Sequence, residues 1–414
     1  MSVVDENTTV AIVGSGVAGL ALGNFLLRSG IDCVILEKRG RQYVEQRQRA
    51  GVIDNRAARM FRQWGLEDKV LDGVPFEPVL NFRIDGETRP YAYSTDDGDG
   101  RFCPQQVLVR NLIDVFIGDG GDLRFDAEDV SLESVSGDER PLVRYRDSVG
   151  TTRTIHCDFI AGCDGDRGVS RATIPSGHLT RYAHDYGYAW LTVLAEVPAN
   201  HQSMMAIHSR GFAGQFARGP EASRFYLQCP LDSSLSEWTD EHIWDEIEIR
   251  FGEPVRMRGE ISSKRLVPLR SVVYDPMSHG RLYLLGDAAH IVPPMSAKGM
   301  NLALHDADVF AKAVIRQVEE HDASLLDTYS ATCLRHVWNY QAFAAWFTDL
   351  MHDSGDVSYQ GEFRRQIARG GARPPLRVRI GEPPVQRIPH RAELGPAPFR
   401  AVTPQAVRMP APPA

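Results

Sequence analysis

The chain has 414 residues, 43% of them hydrophobic and 24% charged, with a net charge of −8. That length exceeds what one hydrophobic core supports, so two closely joined domains are expected. An acidic balance with no Lys/Arg run in the first 350 residues argues against a nucleic-acid partner, and no apolar stretch approaches the roughly 20 residues of a membrane span. Six cysteines are scattered without C-x-x-C spacing, which suits a reducing cytoplasm and gives no reason to expect a structural metal. The polar start "MSVVDENTTV" has no basic flank before an apolar run, so no secretory signal is expected and the cytoplasm is the expected location.

In chain order, Val10–Val13 reads as a strand, followed by a glycine turn, a helix over about Val17–Ser29, and a strand over Cys33–Glu37. This βαβ unit carries Gly14-x-Gly16-x-x-Gly19 between strand and helix. The glycines permit a tight turn, close backbone approach to a pyrophosphate and close helix–strand packing. The helix start adds free amides and about half a positive charge. Glu37 ends the second strand, where a carboxylate can accept both hydroxyls of an adenosine ribose. A further apolar strand is expected in "FIAGCDGDRGVSR", Phe159–Arg171, presenting Asp164-Gly165. From about 185 to 270 the texture changes: "YGYAWLTVLAEV" and "SRFYLQCPL" are β-branched and aromatic, as in an antiparallel sheet. The βα pattern returns at Arg281–Arg316, with Gly286-Asp287 at a strand end and a helix after Ser296–Met300. Strand-end carboxylates can hold polyol hydroxyls and a helix start can aim amides at a ring carbonyl; a flavin with its ribityl chain needs both. Beyond Asp353 the Arg/Gly/Pro-rich chain is expected to be loosely held or disordered.

The expected fold class is α/β (α+β): a Rossmann-like βαβ domain with an inserted antiparallel sheet. Residues 1–75, 101–182 and 271–350 are assigned to the nucleotide domain, the last with additional helices. Residues 76–100 and 183–270 are assigned to the substrate domain, and 351–414 to the tail.

With these motifs in place, the sequence resembles the flavoprotein aromatic hydroxylases (group A FAD monooxygenases), and within them the 4-hydroxybenzoate 3-monooxygenase branch. The resemblance runs from about Thr9 to Asp349. It is carried by "GIDCVILEK", "RQRAGVID", "CDFIAGCDG", "RGFA", "VPLRSVV", "GRLYLLGDAAHIVPP" and "AKGMNLA". It implies noncovalent FAD, reduction by NADPH (NADH remaining open), and O2 as co-substrate through a flavin C4a-hydroperoxide. The matching FAD positions are Gly14, Gly16, Ala18, Gly19, Glu37, Arg47, Arg49, Gln105, Asp287, Met300 and Asn301. Arg49 would lie against the pyrophosphate and the mobile isoalloxazine. Lys38, Arg39, Arg41, Tyr43 and Arg270 occupy the nicotinamide-nucleotide places, whose positive charge favours a 2′-phosphate. Asp166-Arg167 replace the family's Phe-His. A homodimer is a further partner that the resemblance admits.

For the substrate, Arg218 matches the arginine that grips a benzoate carboxylate, Tyr226 the tyrosine that shares it, and Pro294 the proline whose carbonyl faces ring and flavin. Arg49, Pro294, Arg218 and Tyr226 are therefore the expected catalytic set. Four positions depart from the family: Phe216 replaces a serine, Met205 the tyrosine that takes the phenolic proton, and Met295-Ser296 a Thr-Gly pair. A phenol of pKa about 10 costs roughly 3–4 kcal/mol to ionise near pH 7–8, so loss of that tyrosine would hurt a purely phenolic substrate. An amino group donates its lone pair without ionising. The expected substrate is accordingly an amino-hydroxybenzoate such as 3-amino-4-hydroxybenzoate, with plain 4-hydroxybenzoate as the alternative. The tryptophans form no W-x-W-x-I-P segment, against a halogenase, and intact flavin motifs argue against a non-catalytic escort protein.

Overall fold

In a computed structural model, the described residues are 4–47, 51–71, 74–75, 79–84, 87–92, 99–201, 203–218 and 221–352, with Tyr359 and Phe363. Arg49, and almost all of the expected tail, fall outside them. Among the described residues no helix is long and apolar enough to cross a membrane.

The chain opens with β1 (Val4–Val13), α1 (Val17–Arg28) and β2 (Cys33–Leu36). Only Val10–Val13 of β1 is continuously apolar, each residue at most 5% exposed. The strand nevertheless extends back to Val4, because its polar first half pairs in parallel with Arg153–Cys157. β3 (Val52–Ile53), α2 (Asn55–Gln63), β4 (Val79–Ile84) and β5 (Glu87–Ala92) follow, then α3 (Gln105–Gly118) and β6 (Asp122–Arg124). β7 (Thr152–Gly162) starts earlier than the expected Phe159 and ends well before Arg171. Beyond it Asp164 accepts from Ser170 N–H and so caps a short helix, Val169–Thr173, which stops the strand from continuing.

The β-rich region comprises β8 (Thr180–Ala195), β9 (Ser203–Ile207), β10 (Ala213–Ala217), β11 (Ser223–Pro230), α4 (Asp240–Phe251) and β12 (Ile261–Asp275). The chain then returns through β13 (Leu282–Leu284), β14 (His290–Ile291), α5 (Gly299–Glu320) and α6 (Tyr329–Met351). One sheet has the parallel order β13-β7-β1-β2-β6, and the other runs β14-β12-β8-β11-β10-β9-β4-β5. The second is antiparallel except where β9 meets β4. This is the mixed α/β architecture with a large inserted sheet. α1 and α5 cover the parallel sheet with residues such as Leu20, Phe25, Leu304 and Phe310, all fully buried.

The two sheets meet at the joint between β13 and α5. There Asp306 of α5 accepts from Gly286 N–H at 2.9 Å and lies 2.7 Å from His290 Nε2, with both side chains buried. Burial by itself pushes His290 toward neutrality, but the Asp306 charge and hydrogen bond outweigh it and raise the pKa above its usual value. His290 and Ile291 in turn pair with Val273 and Val272 of the second sheet. Asp306→Leu is expected to strand both donors and destabilise the protein by about 3–5 kcal/mol. A urea midpoint unchanged from wild type would contradict this role.

Candidate active site

Two glycines set the nucleotide turn. Gly14 has φ +105° and donates its N–H to Leu36 O at 2.7 Å; a Cβ there would sit 2.5 Å from Cys163 O. A Cβ on Gly19 would lie 2.0 Å from Gly14 O, so the helix can approach the strand only without a side chain. Gly16 caps α1 with no side-chain hydrogen bond, leaving the first-turn amides near Ala18 aimed at the space ahead of the helix. Glu37 is fixed on this turn. Its Oε2 accepts from Ser15 N–H (3.0 Å) and Oγ–H (2.9 Å), and its Oε1 accepts from Arg39 N–H at 2.9 Å. Oε1 retains a lone pair for a ribose hydroxyl.

Asp164 caps through Oδ2, while its Oδ1 is buried with no hydrogen-bond partner among the described residues. Burial raises its pKa, and an orphaned acceptor of this kind fits a donating hydroxyl. Asp287 lies in the turn Gly286–Ala288 at the end of β13. Across from it α5 begins without a side-chain cap, so the amides of Gly299, Met300 and Asn301 have no intrahelical acceptor. The Asn301 side chain is engaged elsewhere: Oδ1 accepts from Asp54 N–H at 3.1 Å, and Nδ2 donates to Val52 O and Ala297 O. Only its backbone amide is left for a cofactor. Lys298 Nζ lies 3.0 Å from Asp54 Oδ2, both buried, which ties the β3–α2 segment to the start of α5. Arg47 follows a short helix, Arg41–Gln46, and Gln105 opens α3. Glycine turn, orphaned strand-end acceptor and uncapped helix together fit FAD.

The nicotinamide candidates are uneven. Lys38 and Tyr43 are exposed and Arg39 lies over the Tyr43 ring at 5.4 Å. Arg41 is paired with Glu45 and Asp114, and Arg270 with Asp166 at 2.5 Å.

Strand register assembles the substrate candidates. Met205 on β9 faces Gly214 on β10, which faces Tyr226 on β11. Tyr226, Met205 and Met295 share one apolar cluster with Trp190 and Phe212, and Phe216 packs against it. The rings of Phe212 and Phe216 close over Gly214, within 3.1 and 3.3 Å of where its Cβ would be. Phe216 therefore narrows the site from within. Arg218, just past β10, is held by its N–H to Ala222 O at 2.8 Å, and its half-buried guanidinium lies beside the Tyr226 hydroxyl. Desolvation lowers its pKa below the usual arginine value, and no carboxylate pairs with it among the described residues. A partly desolvated cation without a paired carboxylate favours an anion as its partner. Pro294 opens a single 3₁₀ turn, Pro294–Ser296, and its carbonyl accepts Ala297 N–H at 3.0 Å.

Sequence reasoning missed part of this wall. Trp190 Nε1–H donates to His352 Nε2 at 2.7 Å, His352 Nδ1–H donates to Thr348 O at 2.8 Å, and Tyr188 stacks on the imidazole at 4.9 Å. The alternation in "YGYAW" marks Tyr186, Tyr188 and Trp190 as one face of a strand, but nothing local announces His352 as their partner.

A dinucleotide turn joined to flavin-suited strand ends, with a half-buried arginine beside an aromatic cluster, is the arrangement of a flavin-dependent aromatic hydroxylase. The chain belongs to the FAD binding domain family, which matches residues 7–344, and it is an FAD-dependent aromatic monooxygenase. It is 35% identical over 357 residues to p-hydroxybenzoate hydroxylase of Acinetobacter baylyi, covering 83% of this chain and 86% of that protein. It is 27% identical to the probable NADH-specific resorcinol 4-hydroxylase of Rhodococcus jostii, covering 79% of this chain and 62% of that one. The fold superposes on p-nitrophenol 4-monooxygenase from Pseudomonas putida with TM-score 0.75 at 18% identity, covering 89% and 95% of the two chains. For aklavinone-11 hydroxylase with FAD and aklavinone the TM-score is 0.72 at 20% identity, with coverage of 85% and 70%.

His352 gives a pH prediction. Burial pushes its pKa down to about 3, so the unfolded chain binds the extra proton between about pH 6.5 and pH 3. Stability from this group is complete above about pH 6.5 and falls as pH drops through that window, by at most about 1.4 kcal/mol per pH unit. His352→Phe is expected to flatten the decline in urea midpoint between pH 7 and pH 5. An unaltered slope would count against it.

Proposed function

We propose that this monooxygenase hydroxylates an amino-hydroxybenzoate, with 3-amino-4-hydroxybenzoate as the representative substrate, ortho or para to the amine, using NADPH and O2. The observation that carries this reading is the pairing of Arg218, half-buried beside Tyr226 with no paired carboxylate among the described residues, with methionine at position 205. Arg218 and Tyr226 suit a carboxylate: the guanidinium supplies paired N–H donors, and the Tyr226 hydroxyl beside it has a hydrogen to donate. Met205, Met295 and Trp190 exclude water from the ring. The Pro294 carbonyl has a second lone pair that can accept an N–H of a ring amine.

Among the described residues, proton removal is poorly provided for. Tyr186 is held protonated by burial and bonded to Ser271, and the free lone pair of His352 is taken by Trp190. A neutral arylamine needs no proton removed before it donates electrons into the ring. Bound FAD, once reduced, supplies the chemistry that transfers one oxygen atom of O2 to that ring. The second reading, plain 4-hydroxybenzoate, is favoured by the 35% identity to p-hydroxybenzoate hydroxylase.

Oxygen consumption and product yield with the two acids separate the readings. Better coupling with 4-hydroxybenzoate would overturn the first. Arg218→Met should lower kcat/KM by about 10- to 150-fold, the loss of a charged hydrogen-bonded pair of roughly 1.5–3 kcal/mol. Met205→Tyr should improve turnover of 4-hydroxybenzoate relative to the amino acid. For the coenzyme, Asp166→Asn frees Arg270 and is expected to lower KM for NADPH severalfold. An unchanged KM would remove Arg270 from the phosphate contacts.

A further inference from the structure

We propose a second binding site, for a small aromatic carboxylate, at the amino end of β13 and the carboxyl end of α5. An open cavity of about 520 Å3 lies there, lined by Phe159, Arg281, Tyr283, Val318 and Leu326 among others. That volume falls in the range of small-molecule sites. The flavin cradle sits at the opposite ends of the same strands, up to about 20 Å away along β13 and its turn. The inference therefore stands independently of the proposed substrate.

Strand geometry makes this a directed site. Residues two apart on a strand share a face, so Arg281 and Tyr283 project side by side. The parallel register Ala161↔Tyr283 puts Phe159 on that face too, and its ring lies 6.3 Å from that of Tyr283. Tyr283 is only 6% exposed, and its hydroxyl has no hydrogen bond among the described residues. Burial, then the nearby Asp327, pushes its pKa up to about 12, which keeps the phenol a donor. Arg281 uses its backbone in bonds to Val135 and Ile160, while its guanidinium has no partner among the described residues. The other acid at the base of the cavity, Asp158, is neutralised by Arg140 at 2.8 Å.

An unpaired guanidinium beside an unpaired phenol is the donor set for a carboxylate, the same pair of residue types that Arg218 and Tyr226 present. Phe159, Val318 and Leu326 offer apolar faces to a flat ring. Gln317 Oε1, buried without a partner, leaves an acceptor for a ring hydroxyl or amine.

Equilibrium dialysis of benzoate against the FAD-loaded protein, with no reductant present, tests this. The expected result is two benzoates per chain, one lost in Arg281→Met and the other in Arg218→Met. Tyr283→Phe, a conservative change, should weaken the Arg281-dependent site severalfold while leaving the melting temperature nearly unchanged. A single wild-type site that Arg218→Met abolishes, or a count that neither Arg281→Met nor Tyr283→Phe alters, overturns the proposal. A single wild-type site that Arg281→Met abolishes would count against the proposed substrate and leave this one standing.

Discussion

The architecture of the site depends on one buried carboxylate. Asp306 reaches from α5 to Gly286 N–H and to His290, so a single side chain fixes both ends of the turn that carries Asp287. Because His290–Ile291 also forms the edge of the inserted sheet, the same contact sets where that sheet lies against the parallel one. The Pro294–Ser296 turn emerges between them and has little freedom to be elsewhere. Lys298 and Asp54 repeat the device a few residues on, drawing the segment after Gly51 to the start of α5. The turn that carries Asp287 and the start of α5 are thus positioned by buried charge pairs whose disruption leaves an uncompensated charge, which is why such pairs hold geometry even where they add little net stability.

Two kinds of order meet at this place. The nucleotide cradle is built from backbone: glycines without side chains, uncapped helix amides, and strand-end carboxylates already engaged with neighbouring N–H groups. The substrate wall is built from side chains on alternating positions of antiparallel strands, where each residue can change without disturbing the ladder. Met205 and Phe216 are changes of that sort. The sheet tolerates them because register, set by backbone pairing, is indifferent to which apolar group occupies a face. The nucleotide turn can therefore remain constant while side chains on the apolar face of the inserted sheet change.

The same contrast explains what the sequence disclosed. Gly14, Gly19, Glu37 and Gly286-Asp287 are read in place because their roles are local: a turn, a strand end, a helix start. The strand beginning at Val4 was less legible, since its polar half is held by pairing with Arg153–Cys157, far along the chain. The extent of β7 was misjudged because Asp164, which reads as a strand-end carboxylate, also caps the next helix. Asn301 reads as a cofactor contact, yet its side chain is saturated by Asp54, Val52 and Ala297. His352 and Trp190 lie 162 positions apart, and their hydrogen bond follows no local pattern. Long-range complementarity of this type has no periodicity to betray it.

The unmatched charge of Arg218 has a consequence for the life of the protein between turnovers. The guanidinium is half-buried, Tyr226 lies beside it, and no carboxylate pairs with it among the described residues. On the proposed reading, an aromatic acid that enters the pocket completes the ion pair. Occupancy and fold stability are then linked by mass action, so the bound form resists unfolding and proteolysis better than the empty one.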